Sequence, residues 1–306
     1  MAEDQSADHV ALSADRSVII PGARRLPDFL HIGPSKAGST WIFKALTWHP
    51  QIYTYAGKNL DFFSTRFDQG WDWYIDQFDP QPHHRVVGEV SHSYLVSPDA
   101  AEHIHQHLPH AKLIMCLREP VQRLFSDYLD GIKNGKMHGT LDEALEQYPS
   151  LINKSRYGTP LARYLDRFDR RQIHVGSFDE LVTAPNRFAA KLFEFLGVDA
   201  LELPESLLGK LLPAGTPRVR PIATAAKAIS KLAGELGLQS LRGKLKTSRT
   251  VRNLIYRPYS DGTRPTISPD TEARLRGLMA DEVQRLDRLA GTDFARLWNY
   301  PSPESD

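Results

Sequence analysis

The stretch "FLHIGPSKAGSTWIFKAL", Phe29 to Leu46, decides how the rest of the chain is read. "FLHIG" is an apolar run of strand length, and "STWIFKALTW" has apolar residues at helical spacing until Pro50 ends the pattern. Between them Gly33 and Gly38 have the spacing of a nucleotide-binding glycine loop, in which a lysine and then Ser or Thr follow the second glycine. Here Ser39 and Thr40 follow Gly38 directly, and Lys36 sits between the glycines. Strand, glycine loop and helix together aim backbone N–H groups and a helix dipole at an anion. The loop therefore predicts an anion site whose cation hangs over the ligand from the loop itself.

Working outward, "RVVGEVS" (85–91), "AKLIMCLREP" (111–120) and "RQIHVGSFDEL" (171–181) read as further strands. Helical patterns alternate with them: "SPDAAEHIHQHL" (97–108), "VQRLFSDYLDGIKNG" (121–135) and "PNRFAAKLFEFLG" (185–197), the last closed by Gly197. A long helix, 268–291, opens with Ser-Pro and ends at Gly291. Strands alternating with helices predict an α/β fold with a P-loop-like, three-layer arrangement: a central, mostly parallel sheet flanked by helices, plus a C-terminal helical cap. Residues 1–26 read as a flexible N-terminal arm and 27–306 as a single domain, within which the basic stretch 223–265 is expected to be a helical cap or insert.

Composition narrows the functional classes. The 38 Lys and Arg nearly cancel the 37 Asp and Glu, so whole-chain charge gives no reason to expect nucleic-acid binding, and any anion site must be local. The single cysteine, Cys116, excludes an intrachain disulfide and a cysteine-rich metal site. No apolar segment has signal-peptide or membrane-span length, so the expected location is the cytoplasm. In "HIHQH", His103 and His107 share a helix face while His105 points elsewhere, and no carboxylate motif accompanies them, so no metal is expected.

A second anion motif is "LREPVQRLFSDY", 117–128. Arg118 ends a strand, Pro120 starts a helix and Ser126 lies two turns along it, so a guanidinium and a hydroxyl can converge beyond the carboxyl end of the sheet. That pair suits a phosphate monoester. A ligand with two separated anionic groups follows.

At these residues the chain resembles the sulfotransferases. "PSKAGSTW" is similar to their 5′-phosphosulfate loop and "LREPVQRLFSDY" to their 3′-phosphate motif, while "KNLDFF", "WDWYIDQF", "GEVSHSYL", "SRYGTPLARYLDRF" and "FDELVTAPNRFAAKLFEFLGV" follow the order of the bacterial and heparan-sulfate-type branch. The resemblance implies 3′-phosphoadenosine 5′-phosphosulfate (PAPS) as donor, 3′-phosphoadenosine 5′-phosphate (PAP) as product, and no metal. It implies that Ser35, Lys36, Ala37, Gly38, Ser39, Thr40 and Trp41 hold the phosphosulfate, with Lys36 on the bridging oxygen, and that Arg118 and Ser126 hold the 3′-phosphate. Arg218 and Arg220 of "PAGTPRVRP" fall where a closing basic loop is expected, and Tyr157 of "SRYG" is expected to line the nucleotide cleft. Sulfuryl transfer depends on in-line positioning and on stabilising charge on the leaving oxygen, which gives a lysine in the loop a reason independent of the family.

The sequence departs from the branch at Asn59. Many relatives have Lys-Glu/Asp-x-x-Phe-Phe there, with the carboxylate resembling a general base, and an amide cannot accept a proton at neutral pH. Asp61, Glu89 and His92 are the remaining candidates for that base, with Lys58 acting on the sulfuryl group or the leaving phosphate. The acceptor is expected to be a small-molecule or carbohydrate hydroxyl. Asn59 leans this toward a more acidic phenol or another natural-product scaffold of secondary metabolism. The alternatives are a P-loop-type kinase of a small molecule, which would need lysine directly after Gly38, and a catalytically impaired nucleotide-binding relative. Oligomeric state is not legible.

Overall fold

Each apolar run bounded by glycine, proline or charge becomes a strand of one parallel sheet in the computed structural model, which describes residues 25–209, 215–217, 256–258 and 265–301. The strands are β1 (Phe29–Gly33), β2 (Ile52–Thr54), β3 (Val86–Val90), β4 (Lys112–Leu117) and β5 (Ile173–Ser177), in the order β2-β3-β1-β4-β5. All pairings are parallel, with Leu30 opposite Glu89 on one side and Leu113 on the other. The chain leaves β1 toward β2 and β3, and later fills the opposite side with β4 and β5. The boundary between β1 and β4 is thus the switch point at which ligands of such sheets bind.

Period-two alternation divides the core. Leu30, Ile32, Leu113 and Met115 face one layer, and Phe29, Val90, Ile114 and Cys116 face the other. On the second face lie α1 (Ser39–Trp48) and, from later in the chain, the helix Pro185–Leu196, packed through Ile42, Leu46, Phe188 and Leu192. The first face takes the short α2 (Phe62–Thr65), α3 (Trp71–Ile75) and α4 (Ala100–His107), through Phe62, Phe63, Tyr74 and Ile104. The aromatic stretch 71–78 is core here, as Tyr74 stacks on Phe62 at 4.4 Å.

After β4, α5 (Pro120–Lys133) starts with proline at its first position and Glu119 capping the Gln122 amide at 2.6 Å. Then come α6 (Leu141–Gln147), with a Thr140/Glu143 capping box, α7 (Ser150–Asn153) and α8 (Gly158–Leu165). Beyond β5 follow α9 (Phe178–Thr183), α10 (Pro185–Leu196) and α11 (Glu205–Leu208). The long C-terminal helix α12 (Pro269–Ala290) is capped by Ser268, closed by Gly291 and followed by α13 (Phe294–Leu297). Its Met279, Val283 and Leu286 enter the same core as Leu30.

The 1–26 arm lies outside the described residues up to position 24, while Arg25 is fastened to the carbonyls of His84 and Arg85 and to Asp28. Of the expected helical segment 223–265, residues 223–255 and 259–264 lie outside the described residues. Within it Tyr256–Pro258 is a strand, β7, antiparallel to β6 (Gly215–Pro217), which corrects the helical reading at those positions. Among the described residues no helix is long and apolar enough to cross a membrane.

Candidate active site

The loop after β1 turns on residues with left-handed backbone: Gly33 at φ 121°, Lys36 at 68° and Gly38 at 89°. Gly33 allows a close approach, since a β-carbon there would lie 2.5 Å from the His92 carbonyl oxygen. Gly38 precedes α1 without a side-chain cap, so the first amides of that helix, at Ser39 and Thr40, have no intrahelical acceptor. Those amides, with the positive end of the helix dipole, suit an anion. Lys58 closes the loop from the side, its ammonium donating to Thr40 Oγ1 at 2.7 Å and to Ser39 Oγ at 3.3 Å. Lys36 Nζ lies 2.8 Å from Asp130 Oδ2 on α5.

The second arm rises from β4. Arg118 is half-buried, with its guanidinium 5.0 Å above the Phe178 ring, and Ser126 on α5 is half-buried with no side-chain hydrogen bond among the described residues. A hydroxyl and a guanidinium are both groups that a phosphate oxygen can bond. Arg123, not singled out from the sequence, links the arms. It is completely buried and donates to Ser155 Oγ at 2.7 Å, the Leu151 carbonyl at 3.0 Å, Asp127 Oδ2 at 3.2 Å and Ser35 Oγ at 3.5 Å.

Segment 57–61 meets the loop through Lys58. Asn59 and Asp61 both have left-handed backbone, at φ 62° and 54°, unusual for residues other than glycine. The Asn59 backbone N–H donates to the Val90 carbonyl at 2.9 Å, while its side-chain Oδ1 is buried without a hydrogen bond among the described residues. The carboxylate of Asp61 accepts from Ser93 Oγ at 2.6 Å, and its backbone N–H donates to Ser91 Oγ. His31, underneath, is buried; burial first, then Lys58 and His92, push its pKa down to about 3, and its Nδ1 has no partner.

The candidates for proton acceptor separate cleanly. Glu89 is fully buried, with Oε1 accepting from Tyr74 at 2.9 Å and Tyr94 at 2.8 Å and Oε2 from Ser91 at 2.6 Å. Burial outweighs these hydrogen bonds and raises its carboxyl to about 7. It braces the core and meets no solvent. His92 is half-buried; burial lowers its pKa, and Lys58 and Lys36 lower it further against the opposing carboxylates of Asp61 and Asp127. Its imidazole is therefore neutral at physiological pH.

Two further expected site residues also turn inward. The Trp41 ring packs edge-on against Phe188, its Nε1 donating to the Leu207 carbonyl at 2.8 Å. Tyr157 is buried and donates to the Arg118 carbonyl at 2.8 Å, which ties it to the backbone of the arginine. Ala37 is fully buried beneath the loop. Arg218 and Arg220 lie outside the described residues. His103 stacks on Phe67 at 3.7 Å, and among the described residues no group of His, Cys, Asp or Glu is placed to hold a metal.

Comparison with known proteins identifies the family and the fold. The family model described as "Sulfotransferase domain" matches residues 26–210. The chain is 34% identical over 190 residues to heparan sulfate glucosamine 3-O-sulfotransferase 6 of Mus musculus, covering 58% of this chain and 54% of that one. It spans between 22% and 54% of the length of such curated relatives. In fold it is similar to a solved sulfotransferase from Alicyclobacillus acidocaldarius, with a TM-score of 0.66, 23% identity, and 90% and 99% of the two chains covered. A mouse sulfotransferase, SULT7A1, solved in complex with PAP, is also similar, with a TM-score of 0.51, 13% identity, and 89% and 87% coverage.

Proposed function

Because the chain belongs to the sulfotransferase-domain family, we propose that it transfers a sulfuryl group from PAPS to an acceptor hydroxyl. The observation that carries this reading is the placement of two anion-binding arms at the carboxyl ends of the adjacent strands β1 and β4. A donor with a 5′-phosphosulfate and a 3′-phosphate has the matching pair of anions. The mouse relative solved with PAP supports the same choice.

On this reading the Ser39 and Thr40 amides and hydroxyls bind the 5′-phosphate, and Arg118 with Ser126 binds the 3′-phosphate. Lys36 and Lys58 neutralise charge at the oxygen that leaves sulfur, which removes the need for a metal. The acceptor oxygen forms a bond to sulfur as the bond from sulfur to the bridging oxygen breaks, and that electron pair stays on the phosphate. His92 takes the acceptor's proton, and Asp61 and Asp127 stabilise the imidazolium that results. Asn59, whose amide cannot serve as a base, positions segment 57–61. The curated relatives named for heparan sulfate support a carbohydrate acceptor, and a small-molecule hydroxyl, phenols included, is the other class to test.

The test is transfer of labelled sulfate from PAPS, with a chelator present, to a panel of sugars, phenols and natural-product scaffolds, with products identified by mass. Lys36→Met is expected to lower transfer about 10²–10³-fold while PAP still binds. Phosphorylation from ATP with no sulfate transfer would overturn the proposal, and PAP binding without turnover on any acceptor would mark a nucleotide-binding relative instead.

A further inference from the structure

Helix α5 presents Ser126 and, one turn later, Asp130 on the same face. Three carboxylates near this end of the sheet are compensated differently. Asp61 accepts from Ser93, and Asp127 lies 3.2 Å from the buried Arg123 and 3.9 Å from Lys154. Asp130 has a different partner: among the described residues its ion pair is with Lys36, the lysine of the loop, at 2.8 Å. The Asp130 side chain is 45% exposed and that of Lys36 only 22%, so water can take over the carboxylate more readily than it can take over the ammonium.

We propose that Asp130 is a positioning residue that competes with the donor's anionic group for the Lys36 ammonium, and so holds affinity for donor and product below what the loop alone would give. This rests on the reading of the loop as the phosphosulfate site. An anion seated on the Ser39 and Thr40 amides draws Lys36 toward itself, and Asp130 opposes it by its claim on the same ammonium. The half-exposed carboxylate is rehydrated when Lys36 turns away, so the exchange costs little. Weaker product binding is useful to an enzyme whose product keeps every phosphate of the donor, because only the sulfuryl group separates the two.

The experiment is a calorimetric titration of the full chain, of Asp130→Asn, of Lys36→Met and of the double variant, with PAP and separately with inorganic pyrophosphate. The expected result is that Asp130→Asn binds both ligands about three- to tenfold more tightly than the parent, with the donor KM falling by the same factor. In the Lys36→Met background the same change should have no effect, which a merely structural role for Asp130 would not produce. Unchanged or weaker binding by Asp130→Asn, or tightening that persists without Lys36, overturns the proposal. If the parent binds no PAP but Asp130→Asn still tightens pyrophosphate through Lys36, the competition stands and the donor assignment fails.

Discussion

His92 owes its candidacy to its surroundings more than to its identity. Removal from water lowers its pKa, and Lys58 and Lys36 reinforce the effect. A base that must be neutral to work then stays neutral throughout the physiological range. The sign fixes a pH profile: protonation inactivates the imidazole, so transfer should be flat through neutral pH and decline only below about 6.5, the ordinary histidine value. His92→Gln should cost about 10²–10⁴ in turnover and abolish that acid limb. A rate profile from pH 5 to 9 on both proteins decides the point, and an unchanged acid limb in the variant would remove His92 from the reaction. Glu89 shows the limit of reading residues singly. Its place at a strand end next to "SHSY" makes it look like a base, and only the fold brings Tyr74 and Tyr94 onto the same oxygen.

At the scale of elements, the strands were legible because each is an apolar run closed by glycine, proline or charge, and the long helices because their caps are written in the chain. β2, of three residues, gives no such signal and exists through its pairing with β3. The glycine loop after β1 and the segment joining β4 to α5 were both visible as motifs. What joins them was not, because Arg123 and Ser35 are 88 positions apart. A completely buried guanidinium shared among a loop, a helix and two further segments behaves as a strut. Arg123→Lys keeps the charge and loses the fork, so it should cost roughly 2–4 kcal/mol of stability and raise the donor KM more than it lowers kcat. Denaturant unfolding and steady-state kinetics measure the two effects, and a stable variant with a parental donor KM would show the arms to be independent.

The whole molecule is tied together on the first face of the sheet, where Glu89 joins β3 to α3 and to Tyr94. Unfolded, this carboxyl titrates near its ordinary value of 4.5; folded, it keeps its proton up to about 7. Between those values the folded state binds more protons, so this group's contribution to stability falls as pH rises across the interval. The parent should lose on the order of 1–3 kcal/mol between pH 4.5 and 7.5 that Glu89→Gln does not lose. Urea denaturation of both proteins at the two pH values tests this, and parallel losses would mean that Glu89 is not the titrating group. The same face receives α12, which lies beyond the matched residues 26–210, yet shares the core of β1. Its C-terminal neighbour Tyr300 donates to Glu119 at 2.6 Å, and so reaches the base of α5 beside Arg118.

Gly33 has a consequence for how such a protein can change. Because its missing β-carbon admits the His92 carbonyl, the main chain that carries Lys36 and the main chain that carries His92 rest directly on one another. On the proposed reading, the span from the loop lysine to the proton acceptor is set like a ruler with no adjustable mark. On that reading, outer loops can change with the acceptor while this span stays constant, and even an alanine at this position would wedge the two segments apart.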